Sequence, residues 1–314
     1  MKVLEELQSF APEKETALTI GVFDGVHLGH QHLLKKLIEQ ATREELMPGV
    51  VTFDRHPEEV LSPDKKLIYL TDLEQRKELI RASGIQLVVT LSFTPELSQL
   101  TAREFIQLLR KYLKLRLLVM GPDFALGRNR EGNLEALRAL GRELGFKVLP
   151  VSPFEIEGEV VRSTLIRQAL VHGELKKVAK LLGRNFTLRG KVVPGADRGK
   201  ELGFPTANIW PNSLKVLPPD GVYATRVRVG EKMFPSVTNI GVRPTFGGGE
   251  RWIEVHIPDF QGDLYGKKLS LEFVERLRGE LRFATPEDLK SQIAKDVSKA
   301  QTIIEKEDLN VGMA

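Results

Sequence analysis

The first half of the chain alternates short apolar runs with amphipathic stretches, and this alternation restricts its fold more than any other feature. Apolar runs occupy residues 17–23, 50–53, 86–91, 116–120 and 147–151. Amphipathic stretches lie between them, at about 30–46, 73–83, 101–113 and 131–144. Strands that alternate with helices typically form a parallel sheet with helices on both faces. The pattern therefore predicts an α/β domain with a doubly wound, Rossmann-like sheet.

The second half has a different pattern, with many glycines and prolines and alternating polar and apolar residues. It predicts short strands at 186–193, 221–229, 234–240, 251–257 and 269–275, which favour a small antiparallel β-barrel. A helix is expected from Thr285 to about Glu307, with frayed residues from Asp308 onward. Two short helices, 163–171 and 174–182, are expected to close the first domain. We therefore predict domains at 1–184 and 185–314.

Composition excludes several classes of protein. The chain has 314 residues, 41% of them hydrophobic, a net charge of +4 and no cysteine. No apolar run is long enough to span a bilayer, and the first ten residues lack the apolar block of a signal peptide. The charge is mild and diffuse, which suits anionic small molecules better than nucleic acid. We expect a cytoplasmic enzyme without nucleic-acid or membrane partners, and a homo-oligomer is left open.

Two histidines follow the first apolar run, where the predicted strand passes into a predicted helix. They belong to the segment His27-Leu28-Gly29-His30. The first N–H groups of a helix attract anions, and histidines beside them can donate hydrogen bonds to phosphate oxygens. Surface or core histidines and a zinc site are the alternatives, but the spacing gives no i, i+4 pair and cysteine is absent. The segment favours nucleotide chemistry, with further binding candidates in the preceding loop: Gly21, Phe23, Asp24 and Gly25.

Polar clusters also follow the second and fourth predicted strands. Asp54-Arg55-His56-Pro57 follows one, and Gly121-Pro122-Asp123-Phe124 follows the other. Because ligands of parallel sheets bind beyond the carboxyl ends of the strands, we expect these clusters to converge with the histidines.

Residues 162–167 place two hydroxyls and a basic residue within about one helical turn. Ser163 or Thr164 is typical of a helix N-cap, which requires no ligand. Alternatively, both hydroxyls and Arg167 bind a polyphosphate.

A glycine-rich loop at 195–203 leads into Phe204-Pro205-Thr206-Ala207-Asn208. Such a loop can wrap phosphates, and Thr206 and Asn208 offer oxygen ligands to Mg²⁺. A hairpin loop without a ligand is the alternative. Glu254 lies in an alternating run where it could take a proton from a hydroxyl, although a solvent-facing carboxylate fits the same pattern.

Together these segments resemble one family, the bacterial bifunctional riboflavin kinase/FMN adenylyltransferases, over residues from about 20 to about 296. The segments that carry the resemblance are GVFDGVHLGH at 21–30, FDRHP at 53–57, LGFPTAN at 202–208, NIGVRPTF at 239–246 and EVH at 254–256.

The resemblance implies that the first domain transfers AMP from ATP to FMN, giving FAD and pyrophosphate. His27 and His30 would hold the ATP phosphates. The departing pyrophosphate would be bound by Ser163, Thr164 and Arg167, and the flavin side would be lined by Phe53, His56, Pro57, Asp123 and Phe124.

For the second domain, the resemblance implies transfer of the ATP γ-phosphate to the 5′-hydroxyl of riboflavin, giving FMN. Glu254 would be the base, with Mg²⁺ on Thr206 and Asn208. Arg278 would help to order the flavin-side loop. The flap over ATP would be formed by Gly195, Gly199, Lys200 and Gly203, next to Phe204 and Pro205.

Several positions depart from the common family pattern, among them Val22, Arg162 and Pro194, but none removes a proposed catalytic group. Two other hypotheses compete with the bifunctional enzyme. One is a single-activity adenylyltransferase with a degenerate second domain, and the other is a flavin or nucleotide sensor without turnover.

Overall fold

The apolar runs of the first half form one parallel sheet in the computed structural model, which describes residues 2–62, 64, 67–195, 203–211, 215–242 and 251–312. The strands are β1 (Thr16–Ile20), β2 (Met47–Phe53), β3 (Leu87–Leu91), β4 (Leu115–Met120) and β5 (Lys147–Pro150). They lie in the order β3-β2-β1-β4-β5, so the order reverses between β1 and β4. The crevice at such a reversal, beyond the carboxyl ends of the strands, is where these sheets bind ligands.

Helices connect the strands, as the amphipathic pattern predicted. They are α1 (Lys2–Gln8), α2 (Leu28–Arg43), α3 (Pro57–Leu61), α4 (Leu73–Ala82), α5 (Pro95–Ser98), α6 (Ala102–Leu113) and α7 (Leu134–Leu144). The sequence analysis missed α1, α3 and α5, which are too short for a clear helical period. A hairpin of β6 (Glu155–Ile156) and β7 (Glu159–Val160) follows the sheet.

The sheet is buried on both faces, which explains why its strands are continuous apolar runs. Leu18 and Val51 belong to one core with Phe105 of α6. Ala17 and Val50 face the opposite way and pack with Leu34 of α2. Because both faces of the sheet are packed, the strand ends are held in place. The loops that follow these ends carry the candidate site.

The second half forms α8 (Ser163–Val171), α9 (Leu175–Leu182), an antiparallel barrel and a terminal helix, α10 (Pro286–Gly312). The barrel strands are β8 (Phe186–Val193), β9 (Thr206–Pro211), β10 (Gly221–Val229), β11 (Lys232–Val242), β12 (Arg251–His256) and β13 (Lys268–Arg278). They close in the order β10-β11-β12-β9-β8-β13. The predicted barrel is confirmed, and it includes a further strand, β9, that the sequence pattern does not predict.

Helix α10 covers one side of the barrel, where its Ala300 is buried with Val222 and Ala224 of β10. The prediction that the chain frays from Asp308 is wrong, since α10 continues to Gly312. Asp308 itself is held by an ion pair, because its carboxylate lies 2.6 Å from a guanidinium nitrogen of Arg226.

The chain divides into two compact units at Ser163/Thr164, called here the N-terminal and C-terminal units. This division precedes the predicted 184/185 boundary because α9 packs against β8 and β13 of the barrel. The boundary between functional domains at 184/185 stays a prediction.

Candidate active sites

The loop after β1 has an unusual backbone. Phe23 and Val26 adopt positive φ angles of 56° and 39°, and Gly25 between them has φ 80°. Such angles cost free energy in residues other than glycine, so surrounding contacts must hold them. The Asp24 carboxylate supplies these contacts: it accepts hydrogen bonds from the backbone N–H groups of Leu70 and Thr71, each at 3.0 Å from Oδ1.

His27 occupies the N-cap of α2. Its Nδ1 accepts a hydrogen bond from the backbone N–H of His30 at 3.3 Å, and the residue is 5% exposed. A neutral imidazole that accepts at Nδ1 carries its proton on Nε2. His27 is thereby prepared to donate a hydrogen bond from Nε2 beside the N-terminus of a 16-residue helix.

His30 stacks on His27, with ring centroids 3.7 Å apart and planes 19° from parallel. Its Nδ1 is buried and has no hydrogen-bond partner among the described residues. Burial lowers the pKa of His30 well below its usual value, and the nearby His27 and Arg76 lower it further. His30 is therefore a neutral ring at neutral pH.

Gly29 permits the stack. A side chain at this position would place its Cβ 2.9 Å from the Val161 carbonyl oxygen and 3.1 Å from the His27 ring. The packing of His27 thus requires glycine at this position, whether or not a ligand also approaches the backbone there.

Arg76 lies next to this loop, and the sequence analysis missed it. It is 1% exposed on α4, and its two Nη atoms donate to the carbonyls of Val22 at 2.6 Å and Phe53 at 3.0 Å. A signal existed, because Leu73, Arg76 and Ile80 have the i, i+3, i+7 spacing of a buried helix face. A charged residue on a buried helix face indicates that polar groups hold its charge.

The cluster after β2 is partly structural. Phe53 is buried in the core, and its ring meets the Phe93 ring edge-on. His56 caps α3, with its Nδ1 accepting from the Glu58 N–H at 3.2 Å. The Tyr69 hydroxyl accepts from the His56 N–H at 2.6 Å, and burial raises the pKa of Tyr69 to about 12. Pro57 is the first residue of α3.

The remaining strand end, after β4, carries Asp123 and Phe124. Asp123 is exposed and pairs with Arg162 at 3.0 Å. Phe124 is partly buried against the core. Asp123 and Phe124 follow β4, which flanks the sheet reversal, and their contact with flavin stays a prediction.

Ser163 begins α8, and its hydroxyl donates to the Asp24 carbonyl at 2.9 Å. The hydroxyl thus contacts the histidine loop. Thr164 and Arg167 follow on the same helix and belong to the C-terminal unit.

The second candidate site lies on strands β9 and β12. Thr206 pairs with His256, and Asn208 pairs with Glu254, in the antiparallel register of these strands. Because side chains two residues apart share a face of a strand, all four side chains lie on one face. The hydroxyl, amide and carboxylate expected from the sequence are thereby brought together.

The neighbouring loop approaches this face closely. A Cβ at Gly195 would overlap the side-chain amide of Asn208. The ring of His256 meets that of Phe204 edge-on, and its Nδ1 lies 2.9 Å from the Pro205 carbonyl oxygen. Gly203 has φ 85°. Gly199 and Lys200 of the predicted flap lie outside the described residues.

A cavity of about 550 Å³ opens beside Thr206. Its lining is mainly apolar and includes Pro205, Val255, Phe260 and Tyr265. Cavities of this size with an apolar lining and a few polar groups suit small organic ligands.

Arg278 at the end of β13 is held by α10. Its guanidinium pairs with the Asp296 carboxylate at 2.8 Å, and the Asp296 side chain is 6% exposed. This contact anchors the terminal helix to the barrel. The predicted role of Arg278 in ordering a flavin-side loop stays a prediction.

The fold and the two sites define a transferase with a nucleotidyltransferase-like unit and a separate barrel. Family models match both parts: FAD synthetase over residues 9–165 and riboflavin kinase over residues 182–304. The chain belongs to the bifunctional riboflavin kinase/FMN adenylyltransferase family.

Curated relatives agree with this assignment. The bifunctional riboflavin kinase/FMN adenylyltransferase of Escherichia coli strain K12 is 39% identical over 300 residues, which cover 94% of this chain and 96% of that protein. The enzyme of the same description from Pseudomonas fluorescens is 37% identical over 306 residues, 96% of this chain and 98% of that protein. The chain therefore has both activities, riboflavin phosphorylation and FMN adenylylation, with ATP as co-substrate.

A solved structure from Streptococcus pneumoniae, described as a macrolide-efflux protein, shares the whole fold. It is 29% identical, with a TM-score of 0.87, and the match covers 96% of this chain and 97% of that one. Among the described residues, no helix has the length and apolar character that crossing a membrane requires.

Proposed function

We propose that the N-terminal unit adenylylates FMN at the His27–His30 stack and that the C-terminal unit phosphorylates riboflavin on the β9–β12 face. The capped and stacked histidine pair at the sheet reversal is the observation that carries the first assignment. The register that pairs Asn208 with Glu254 carries the second.

In the first reaction a phosphate oxygen of FMN attacks the α-phosphorus of ATP, and pyrophosphate leaves. This nucleophile is already ionised, so the site needs positioning and charge stabilisation more than a base. The Nε2–H of His27 donates to a phosphate oxygen, and the N-terminus of α2 favours the negative charge that develops there. The neutral ring of His30 can donate a second hydrogen bond from Nε2. A bound phosphate would raise the pKa of His30, and the ring would then bind the phosphate as a cation.

Ser163 binds the departing pyrophosphate. Its hydrogen bond to the Asp24 carbonyl supports this role because it holds Ser163 at the histidine loop. The roles of Thr164 and Arg167 in binding pyrophosphate stay predictions; the guanidinium of Arg167 offers a planar fork of donors suited to phosphate.

In the second reaction Glu254 takes the proton from the 5′-hydroxyl of riboflavin. That oxygen attacks the γ-phosphorus of ATP, and ADP leaves. An alcohol is a weak nucleophile at neutral pH, so a positioned base contributes about 10²–10⁴-fold. The cavity beside Thr206 would take the nucleoside part of ATP.

Mg²⁺ fits the donors of this face. Thr206 offers a hydroxyl and Asn208 an amide oxygen, and Mg²⁺ prefers a few protein oxygens together with water and phosphate. When bound, the ion would offset the negative charge of the ATP phosphates. The protein contributes by holding Thr206 and Asn208 on one face of β9.

Two substitutions separate the reactions. His27→Ala should abolish conversion of added FMN to FAD and leave riboflavin phosphorylation unchanged, whereas Glu254→Gln should slow FMN formation about 10²-fold or more and leave adenylylation of added FMN intact. Flavins separated by chromatography over time, from riboflavin, ATP and Mg²⁺, measure both steps. If either variant lost both activities while remaining folded, two independent sites would be the wrong description.

A further inference from the structure

We propose that Arg76 is a positioning residue for FMN adenylylation, because its guanidinium joins the ends of β1 and β2 and thereby fixes the loop that carries His27 and His30. This inference rests on the function proposed above for the histidine pair. No part of the family resemblance assigns a role to this position.

The joint is built from two strand ends. Phe53 is the last residue of β2, and Val22 comes two residues after the end of β1. Arg76 donates to both carbonyls, at 3.0 Å and 2.6 Å. The Val22 carbonyl also accepts from the Thr52 hydroxyl at 3.2 Å, so both of its acceptor sites are occupied. The peptide that precedes the loop is therefore held from two sides.

The next residue transmits this constraint to the histidines. Phe23 follows Val22 directly and adopts the left-handed conformation at φ 56°. Its ring lies 5.1 Å from the His30 ring, which stacks on His27. A shift of the Val22 carbonyl would therefore move the aromatic wall of the stack. Displacements of about 1 Å in positioned groups can cost on the order of 10²-fold in rate.

Arginine suits this joint better than lysine. Its planar fork presents donors in fixed, divergent directions, whereas an ammonium is a single point charge on a flexible stem. The buried charge is compensated by carboxylates from several elements: Asp24 in the loop, Asp54 after β2 and Asp72 at the start of α4. Its Nε is buried and has no hydrogen-bond partner among the described residues. A purely hydrophobic side chain would fill the space without holding either carbonyl.

The guanidinium also acts on His30 through its charge. Besides burial, two titratable groups lower the pKa of His30: His27 at the N-cap of α2 and Arg76 on α4. Geometry and charge can be separated, because Arg76→Lys keeps the charge and loses the fork, whereas Arg76→Met loses both.

The test uses the full-length chain with these two variants, and Arg81→Met as a control at an exposed position of the same helix. We expect Arg76→Lys to lower kcat for adenylylation of FMN about tenfold or more with KM for FMN changed less than about threefold. Arg76→Met should lower kcat further and raise the pKa of His30, followed by NMR of its imidazole. Arg76→Lys should leave that pKa near its wild-type value. Riboflavin phosphorylation should stay unchanged in each variant.

Several results would overturn the proposal. One is a wild-type kcat for FMN adenylylation in folded Arg76→Lys. Another is a loss of kcat no larger than the loss of folded protein seen by circular dichroism. If Arg76→Met does not fold, Arg76→Lys decides alone. His27→Ala in the same assay distinguishes failure of the proposed site from failure of the role of Arg76. If His27→Ala retains adenylylation, the proposed site is wrong. If it loses adenylylation while both Arg76 variants keep it, only the role of Arg76 is wrong.

Discussion

His27 and His30 form a single capped stack, in which the ring of His27 accepts from the backbone of His30 at 3.3 Å while the two rings lie 3.7 Å apart. One proton on this pair disfavours a second, because the charges would be adjacent in a buried site. Burial favours the neutral form of His30, so protonation of its ring destabilises the stack.

The first prediction is that acid destabilises the N-terminal unit through His30. The pKa of His30 in the folded state lies below its usual value of 6.5. Below pH 6.5 the unfolded chain therefore binds this proton more readily than the folded chain, and the free energy of unfolding falls as pH falls. The slope approaches about 1.4 kcal/mol per pH unit for one group.

Urea unfolding of the N-terminal unit between pH 8 and pH 5 would measure this slope. His30→Asn should remove its contribution, and His32→Asn on the same helix controls for the loss of a histidine from α2. Equal slopes in the wild type and His30→Asn would show that His30 does not cause the acid sensitivity.

The second prediction concerns the loop before β9. In Gly195→Ala the new Cβ would overlap the Asn208 amide, so the loop or the amide must move. We expect a riboflavin kinase kcat lowered about tenfold or more and a higher Mg²⁺ concentration for half-maximal rate, since Asn208 is the proposed ligand. Adenylylation of FMN by the same protein is the internal control. An unchanged Mg²⁺ dependence would argue against Asn208 as a ligand.

The positions of the strand ends could be predicted from the sequence, because fully buried parallel strands produce continuous apolar runs that end where polar residues begin. The runs ending near Phe23, Phe53 and Met120 correspond to β1, β2 and β4, and the polar residues after them lie at one edge of the sheet. The face shared by Asn208 and Glu254 depends instead on the register of β9 against β12, which is a long-range property.

Two features could not be predicted for physical reasons. Strand β9 starts directly after Pro205 and carries Thr206 and Asn208, so its local preferences resemble those of a loop, and pairing with β8 and β12 decides its conformation. The role of Arg76 depends on two carbonyls that are 54 and 23 residues away in sequence. Only the tertiary structure brings these groups together.

The third prediction concerns the ion pair between Arg278 and Asp296. The two side chains are 18% and 6% exposed, and Gln292 also donates to Asp296 at 2.9 Å. Asp296→Asn leaves the guanidinium poorly compensated and should lower the free energy of unfolding of the C-terminal unit by about 3 kcal/mol. Glu305→Gln, at an exposed position of α10, should change it by less than about 0.5 kcal/mol. Thermal and urea unfolding of both variants would check this, and equal stabilities would contradict the anchoring role of the pair.

The fourth prediction uses the fact that the chain has only two tryptophans. Trp252 lies two residues before Glu254, and Trp210 two residues after Asn208, so both share the face of the proposed kinase site. Their rings meet edge-on with centroids 6.2 Å apart, and Trp210 is 45% exposed. Riboflavin with its 5′-hydroxyl at Glu254 would bring its aromatic ring system near this pair, so binding should quench tryptophan fluorescence.

Titration with riboflavin is the appropriate measurement, because riboflavin is the substrate of the proposed kinase site. Free tryptophan amide corrects for absorption by the flavin, and Trp210→Phe shows which ring responds. The quenching should saturate at the riboflavin concentration that half-saturates kinase turnover, and ATP alone should produce none of it. Emission that stays constant while turnover saturates would mean that riboflavin binds away from the β9–β12 face, and the assignment of Glu254 as the base would fail with it.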